Sequence, residues 1–478
     1  MGKVIIYQML PRLWGNIGGK NIKNGTLKDN GCGKFSSIDT ISLEYLRSLG
    51  VSHVWYTGII RHATAEDSAG CTPSSSDWVK GRAGSPYSIT DYYDVNPYLA
   101  DEPENRMEEF HKLVERTHAA GLKVIIDFVP NHVARDYGRF AAAHPAPTGM
   151  AALGESDDKS VHWKDSNDFF YYPGIPLALP IQNQTYMEMP AMASGNSYTS
   201  SPGVNDWYDT IKLNYCDTHT ETWEKMYDIV NFWAGQGVDG FRCDMVELVP
   251  PAFFKWLISR IKKDRPDLLF VAEVYQKTLY SKYIREIDFD LLYDKSGIYD
   301  TLRAIVEKNA KDSGVPVEDW QSAKRITWNW QSLGDLQPYM LNFLENHDEQ
   351  RFASDFFGCD ARNSYAALYT ALYLNNAPFM LYAGEEVGER GMDNEGFSGR
   401  DGRTSIFDWW APSSLTRLYK YIHGEKEALA PEEETMLDTY RKALKFAAED
   451  NAVSKGTFYD LCYCNYASDG FNPDRHFA

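Results

Sequence analysis

Four segments of this 478-residue chain place acids, amides and histidines at or just after the end of an apolar, strand-like run. They are Asp127-Phe-Val-Pro-Asn131-His132, Gly240-Phe-Arg242-Cys-Asp244, Ala272-Glu273-Val274-Tyr275 and Phe343-Leu-Glu-Asn346-His347-Asp348. One such cluster would pass as a turn or a helix cap, where Asp and Asn are at home. Four of them, at strand ends, are hard to explain as caps. Arg242 and Asp244 lie two apart on one strand, so their side chains share a face. A guanidinium beside a carboxylate keeps it ionised, as a nucleophile must be. Glu273, one strand over, can hold a raised pKa and act as an acid. Displacement at a sugar carbon with retention needs two carboxyls about 5–5.5 Å apart. Neighbouring strands, about 4.8 Å apart, can supply that separation. Asp348 is a third acid, free to bind sugar hydroxyls.

Holding strand ends together requires a scaffold that gathers them at one face. Short β-branched runs alternate here with amphipathic helical stretches, the pattern of parallel α/β structure. Strands are expected at Lys3–Gln8, Val51–Tyr56, Lys123–Val129, Val238–Arg242, Leu268–Glu273, Ile287–Leu292, Met340–Leu344 and Pro378–Tyr382. Helices are expected at Ile38–Leu49, Glu104–Ala120, Glu221–Ala234, Pro251–Lys263, from about Tyr299, at Asn363–Leu374 and at Glu432–Glu449. Eight βα units are the count for a closed (β/α)8 TIM barrel, whose catalytic groups sit at the C-terminal strand ends. A doubly wound open sheet is the alternative, and the strand count favours the barrel. The irregular stretch after the third strand is too long for a structureless loop inside a compact domain. The expected division is therefore a barrel over 1–132 and 213–450, an inserted domain over 133–212, and the start of an incomplete C-terminal β module over 451–478. Thr457–Asn465 reads as a strand of that module.

The net charge of −19 argues against nucleic acid and anionic membranes as partners. A neutral polymer is not repelled, and the 31 Tyr and 13 Trp offer flat faces to sugar rings. A large barrel core accounts for such aromatics equally well. The run Phe169–Tyr172 has the same two readings, a glucan groove or a small core. The seven cysteines form no CxxC pair, so zinc is not expected and reduced thiols are. No stretch has the length of a transmembrane helix, and the N-terminus lacks a signal-peptide layout. The sequence as written reads as soluble and cytoplasmic, or exported if a leader has been removed.

In order and content, the four segments resemble the signature regions of the α-amylase family, glycoside hydrolase family 13. Tyr7-Gln-Met-Leu-Pro-Arg is similar to that family's first strand, Gly50-Val-Ser-His-Val-Trp to its second, and Pro378-Phe-Met-Leu-Tyr-Ala-Gly-Glu385-Glu to its eighth. Ile211-Lys-Leu-Asn214 resembles its short motif near the end of the inserted domain, in the form closer to the neopullulanase and cyclomaltodextrinase branch. The resemblance implies Asp244 as nucleophile, Glu273 as acid/base and Asp348 as transition-state stabiliser. It implies that Arg242 orients the nucleophile, that His132 and His347 grip the sugar, that Tyr87 stacks beneath it, and that Asp127 is a buried supporting acid. Asn131 matches a calcium ligand of many members, with Asp157, Asp158, Asp165 and Asp168 as further oxygens in the insertion.

After Asp244 this chain reads Met-Val-Glu247-Leu248, where typical α-amylases carry Lys-His against the sugar beyond the cut. That departure counts against plain endo-amylase specificity. The expected activity is hydrolysis of α-1,4 bonds in starch-derived glucans or maltooligosaccharides by double displacement. The alternatives are an α-glucan transglycosylase, an α-1,6-acting relative, or a non-catalytic glucan-binding protein. Products from maltoheptaose and pullulan separate the first two, and binding without turnover marks the third.

Overall fold

The computed structural model describes residues 2–478 apart from 68–70, 217, 307–321 and 397–398. Eight strands are found where the alternation places them: β1 (Ile5–Met9), β2 (His53–Tyr56), β3 (Lys123–Phe128), β4 (Gly240–Cys243), β5 (Leu269–Ala272), β6 (Leu291–Tyr293), β7 (Met340–Phe343) and β8 (Phe379–Tyr382). They pair in parallel in that order, and β8 closes on β1 through Ile5↔Phe379 and Gln8↔Tyr382. The open-sheet alternative is thereby excluded. Helices cover the barrel, so β1, β4 and β8 are buried along their whole length and show no regular polar alternation, their few polar side chains, Gln8 and Arg242, being buried too. Helix ends follow local chemistry: Asp39 accepts from the Ser42 amide at 2.9 Å and caps Thr40–Ser48.

Register brings the chemistry together. Arg242 pairs across β4–β3 with Asp127 and across β4–β5 with Val271. Gly240, at the base of β4, permits this approach, since a Cβ there would stand 2.9 Å from both Cβ and O of Leu269.

Beyond β3 the chain leaves the barrel. His132–Ala134 pairs antiparallel with Thr210–Lys212, and Tyr171–Tyr172 with Ala191–Met192. Trp78, Val79, Ala134, Leu177, Leu179 and Ala191 form a small core beneath them. In the aromatic run, Phe169 and Tyr171 are buried in the main core, Tyr172 packs against the small core, and Phe170 is half-buried.

The tail departs from expectation. Thr457–Leu461 has no regular structure and Cys462–Asn465 is a helical turn, after a helix at Asn451–Lys455. A strand needs an edge to satisfy its backbone, and a closed barrel offers none. Phe458 instead packs against Trp330 and Phe477, with ring centroids 5.5 and 6.1 Å away. Cys32, Cys243, Cys359, Cys462 and Cys464 are free thiols. No helix among the described residues is long and apolar enough to cross a membrane.

Candidate active site

Arg242 is the hub. Its side chain is 1% exposed, and Nη1 lies 2.6 Å from Asp244 Oδ1 and 3.6 Å from Asp127 Oδ1. Nη2 lies 2.9 Å from Glu273 Oε2, an ion pair without hydrogen-bond alignment. Its Nε donates to the Tyr293 hydroxyl at 3.3 Å. The guanidinium carbon stands 5.4, 5.3 and 5.6 Å from the ring centres of Trp55, Tyr87 and Tyr293. Those aromatic faces favour a buried cation and keep water away from it.

A second tier braces the first. Trp55 Nε1 donates to Asp127 Oδ2 at 3.1 Å, and the Tyr87 hydroxyl donates to Asp127 Oδ1 at 3.3 Å. The Tyr87 and His347 rings stack at 5.2 Å with 24° between planes, and Tyr87 OH lies 2.5 Å from His347 Nε2. Gln8 Nε2 reaches His347 Nδ1 at 2.8 Å, and His347 Nε2 lies 3.1 Å from Asp348 Oδ2. Gln8, Trp55 and Tyr293 were not predicted as site residues. Their signal is position: each is near the C-terminal end of a barrel strand, where side chains reach the catalytic face.

One guanidinium serves four carboxyls here, so protons must supply the remaining positive charge. Burial raises Asp127 to about 7 against the pull of Arg242. Burial also raises Asp244 and Glu273, with Arg242 opposing in both cases. Asp348 is raised well above the ordinary range by desolvation and then by Glu273. Such a cluster titrates as a unit rather than residue by residue. Burial lowers His347 well below its usual value and His132 to about 3, so both rings are neutral and can donate or accept hydrogen bonds.

Asp244, Glu273, Asp348, Tyr87 and His132 line one cavity of about 300 Å³. The inserted segment closes one side with Trp207, whose ring centre lies 5.0 Å from that of His132. Phe407, after β8, is also part of the lining. Of the predicted residues, Arg242, Asp127 and His347 are absent from this lining and stand behind it, each against a residue that lines it, and Asn131 lies outside it.

Asn131 is committed elsewhere. Its Oδ1 accepts from Lys212 Nζ, which also donates to the Leu248 carbonyl at 2.8 Å, and its Nδ2 donates to Gly195 O at 3.0 Å. Of the insertion's acids, Asp168 is buried, Asp157 and Asp158 are half-buried and Asp165 is exposed. Asp157 accepts from the Asp168 and Phe169 amides, Asp158 accepts from Ser160, and Asp168 pairs with Lys225 at 2.6 Å. Calcium wants about six to eight oxygens. The oxygens here do not converge, and an amine occupies the Asn131 position, so this donor set does not fit the ion. Among the described residues one metal-type cluster exists, Asp91, Asp94 and His144, and there Asp94 already holds Arg61 and Arg106 at 2.8 and 2.7 Å.

The profile described as "Alpha amylase, catalytic domain" matches residues 21–457. The chain belongs to the α-amylase family. It is 24% identical over 352 residues to neopullulanase 2 of Thermoactinomyces vulgaris, covering 73% of this chain and 48% of that protein. It is 25% identical over 351 residues to the cyclomaltodextrinase of Thermoanaerobacter pseudethanolicus, covering 72% and 49%. The chain thus spans about half the length of these curated relatives. Among solved structures, the cyclic alpha-maltosyl-(1-->6)-maltose hydrolase of Arthrobacter globiformis superimposes with a TM-score of 0.63 at 18% identity, over 96% of this chain and 85% of that one. At that identity the likeness speaks for the α-amylase family fold alone.

Proposed function

We propose that this chain hydrolyses α-1,4-glucosidic bonds of starch-derived glucans with retention at the anomeric carbon. The observation that carries the reading is the single Arg242 guanidinium set between Asp244 and Glu273 behind a cavity that both acids line together with Asp348. Glu273 gives its proton to the glycosidic oxygen as the bond from anomeric carbon to oxygen breaks. Asp244, held ionised by Arg242, forms a bond to that carbon. Water then attacks the glycosyl-enzyme, losing its proton to Glu273 and releasing Asp244. Asp348, His132 and His347 hold the distorted sugar, and Tyr87 lies beneath it.

The glucan beyond the cut has a path. A groove of about 400 Å³ is lined by Trp163, Phe170 and Tyr198 from the insertion and by Glu247–Pro251 on the barrel side. Its barrel-side wall continues from Met245 in the catalytic cavity. No step is routed through calcium, because the Asn131 surroundings do not fit it.

Reducing-end release from soluble starch and maltoheptaose tests this reading, with Asp244→Asn as control. The expectation is release by the parent and a loss of at least about a thousandfold in the variant, roughly 4 kcal/mol of barrier. Undiminished release by Asp244→Asn would sink the assignment.

A further inference from the structure

The loops after β4 and β5 are stitched together by reciprocal bonds. Glu273, on the β5 side, accepts from the Met245 amide at 2.8 Å through Oε2. Glu247, on the β4 side, accepts in return from the Tyr275 amide at 3.1 Å and the Gln276 amide at 3.0 Å. Met245 reaches its position in the left-handed region, at φ 45° and ψ 46°. A non-glycine residue adopts that conformation when its surroundings hold it there. The same β5 loop turns the Tyr275 hydroxyl onto Glu273 Oε1 at 2.5 Å.

The two oxygens of Glu273 therefore differ. Oε2 faces two donors, the Met245 N–H and Arg242 Nη2. With the Met245 N–H and the Arg242 cation on Oε2, the geometry favours Oε1, the oxygen beside Tyr275, for the hydrogen that a protonated Glu273 delivers. A hydroxyl can accept from that acid, and after a quarter-turn it can donate to the carboxylate left behind. Glu247 fixes the backbone from which the hydroxyl reaches. Its carboxylate is spent on two amides, so it is not aimed at a sugar as the Lys-His of typical α-amylases would be.

We propose that Glu247 and Tyr275 are a positioning pair that holds the acid/base Glu273 in the geometry for proton delivery. This rests on Glu273 being the general acid. Tyr275 transfers no proton itself: the hydrogen passes from Glu273 Oε1 to the glycosidic oxygen as the bond to the anomeric carbon breaks.

The test compares two substrates for the whole chain by kcat/KM, which reports the first chemical step. Maltotriose needs its leaving oxygen protonated, whereas α-maltosyl fluoride expels fluoride without an acid. Tyr275→Phe and Glu247→Ala are expected to lose about tenfold or more on maltotriose, the lower part of the range for acid catalysis, and less than about threefold on the fluoride. Glu247→Gln, which keeps one acceptor oxygen, is expected to recover part of the maltotriose rate. Equal losses on both substrates would make the pair merely structural, and parental rates on both would make it dispensable; either overturns the proposal. Glu273→Gln provides the benchmark. If it does not show the same split more strongly, the acid assignment falls and the pair's role falls with it.

Discussion

Lys212 Nζ donates at once to the Asn131 side-chain oxygen and to the Leu248 carbonyl, joining the end of β3 to the loop after β4. Burial lowers the Lys212 amine to about 7. In either protonation state its N–H groups occupy the place a calcium ion would need. Chelation by EDTA is therefore expected to leave both activity and melting temperature unchanged. A fall in either, restored by added calcium, would overturn this account. Lys212→Ala should cost about 1–3 kcal/mol in thermal unfolding, because it leaves two buried oxygens without a donor.

The raised Glu273 predicts the shape of the alkaline limb. Burial pushes its carboxyl up, Arg242 pulls it down and Asp244 pushes it up again. The other groups facing it are Tyr275 on its own loop, Tyr293 from β6 and Asp348 after β7. The protonated form does the first step, so kcat/KM must fall as pH rises through the folded value. That midpoint is expected above the ordinary carboxylate range near 4.3. The limb should be absent with α-maltosyl fluoride, which needs no proton. A fall centred at the ordinary range, or an identical limb with both substrates, would refute it.

The groove beside Glu247 gives a chain-length prediction. Trp163 is 52% exposed there and Tyr198 48%, so both rings are open to a chain lying in the groove. A sugar face against an indole contributes on the order of 1 kcal/mol. Trp163→Ala should raise KM for maltoheptaose about fivefold and change that for maltotriose less than twofold. Equal KM changes on the two substrates would place the glucan elsewhere.

The barrel was legible because its strands are buried on both faces and write themselves as apolar β-branched runs, such as Val124 to Phe128 in β3. The three acids were legible because each closes or directly follows such a run. What escaped depends on contacts distant in sequence. Nothing local to Trp55 announces a bond to Asp127, nor to Gln8 a bond to His347. Lys212 read as part of a family motif, and only its approach to Asn131 shows what it does. Thr457–Asn465 has strand-like composition, and packing of Phe458 against Trp330 and Phe477, distant in sequence, accompanies its non-strand course.

Asp127 offers a test of stability rather than rate. It is buried and held near 7, above the unfolded value of about 3.9. A group raised on folding contributes stability that is complete below the unfolded value and is lost as pH rises through the folded one. Asp127 should therefore become progressively destabilising between about pH 4 and pH 7. Asp127→Asn keeps an oxygen for only one of its two donors, Trp55 Nε1 on Oδ2 or the Tyr87 hydroxyl on Oδ1, and cannot ionise. At pH 5 the parent's Asp127 is protonated and as neutral as the amide, so the variant, which turns an N–H toward one of those donors, is expected to melt at or below the parent temperature. By pH 8 the parent must pay for a buried charge while the variant does not, and the difference in melting temperature should shift in the variant's favour. A difference that is flat from pH 5 to pH 8, or that moves toward the parent, would show that Arg242 keeps Asp127 ionised throughout and that the proton of this cluster resides on Glu273 or Asp348.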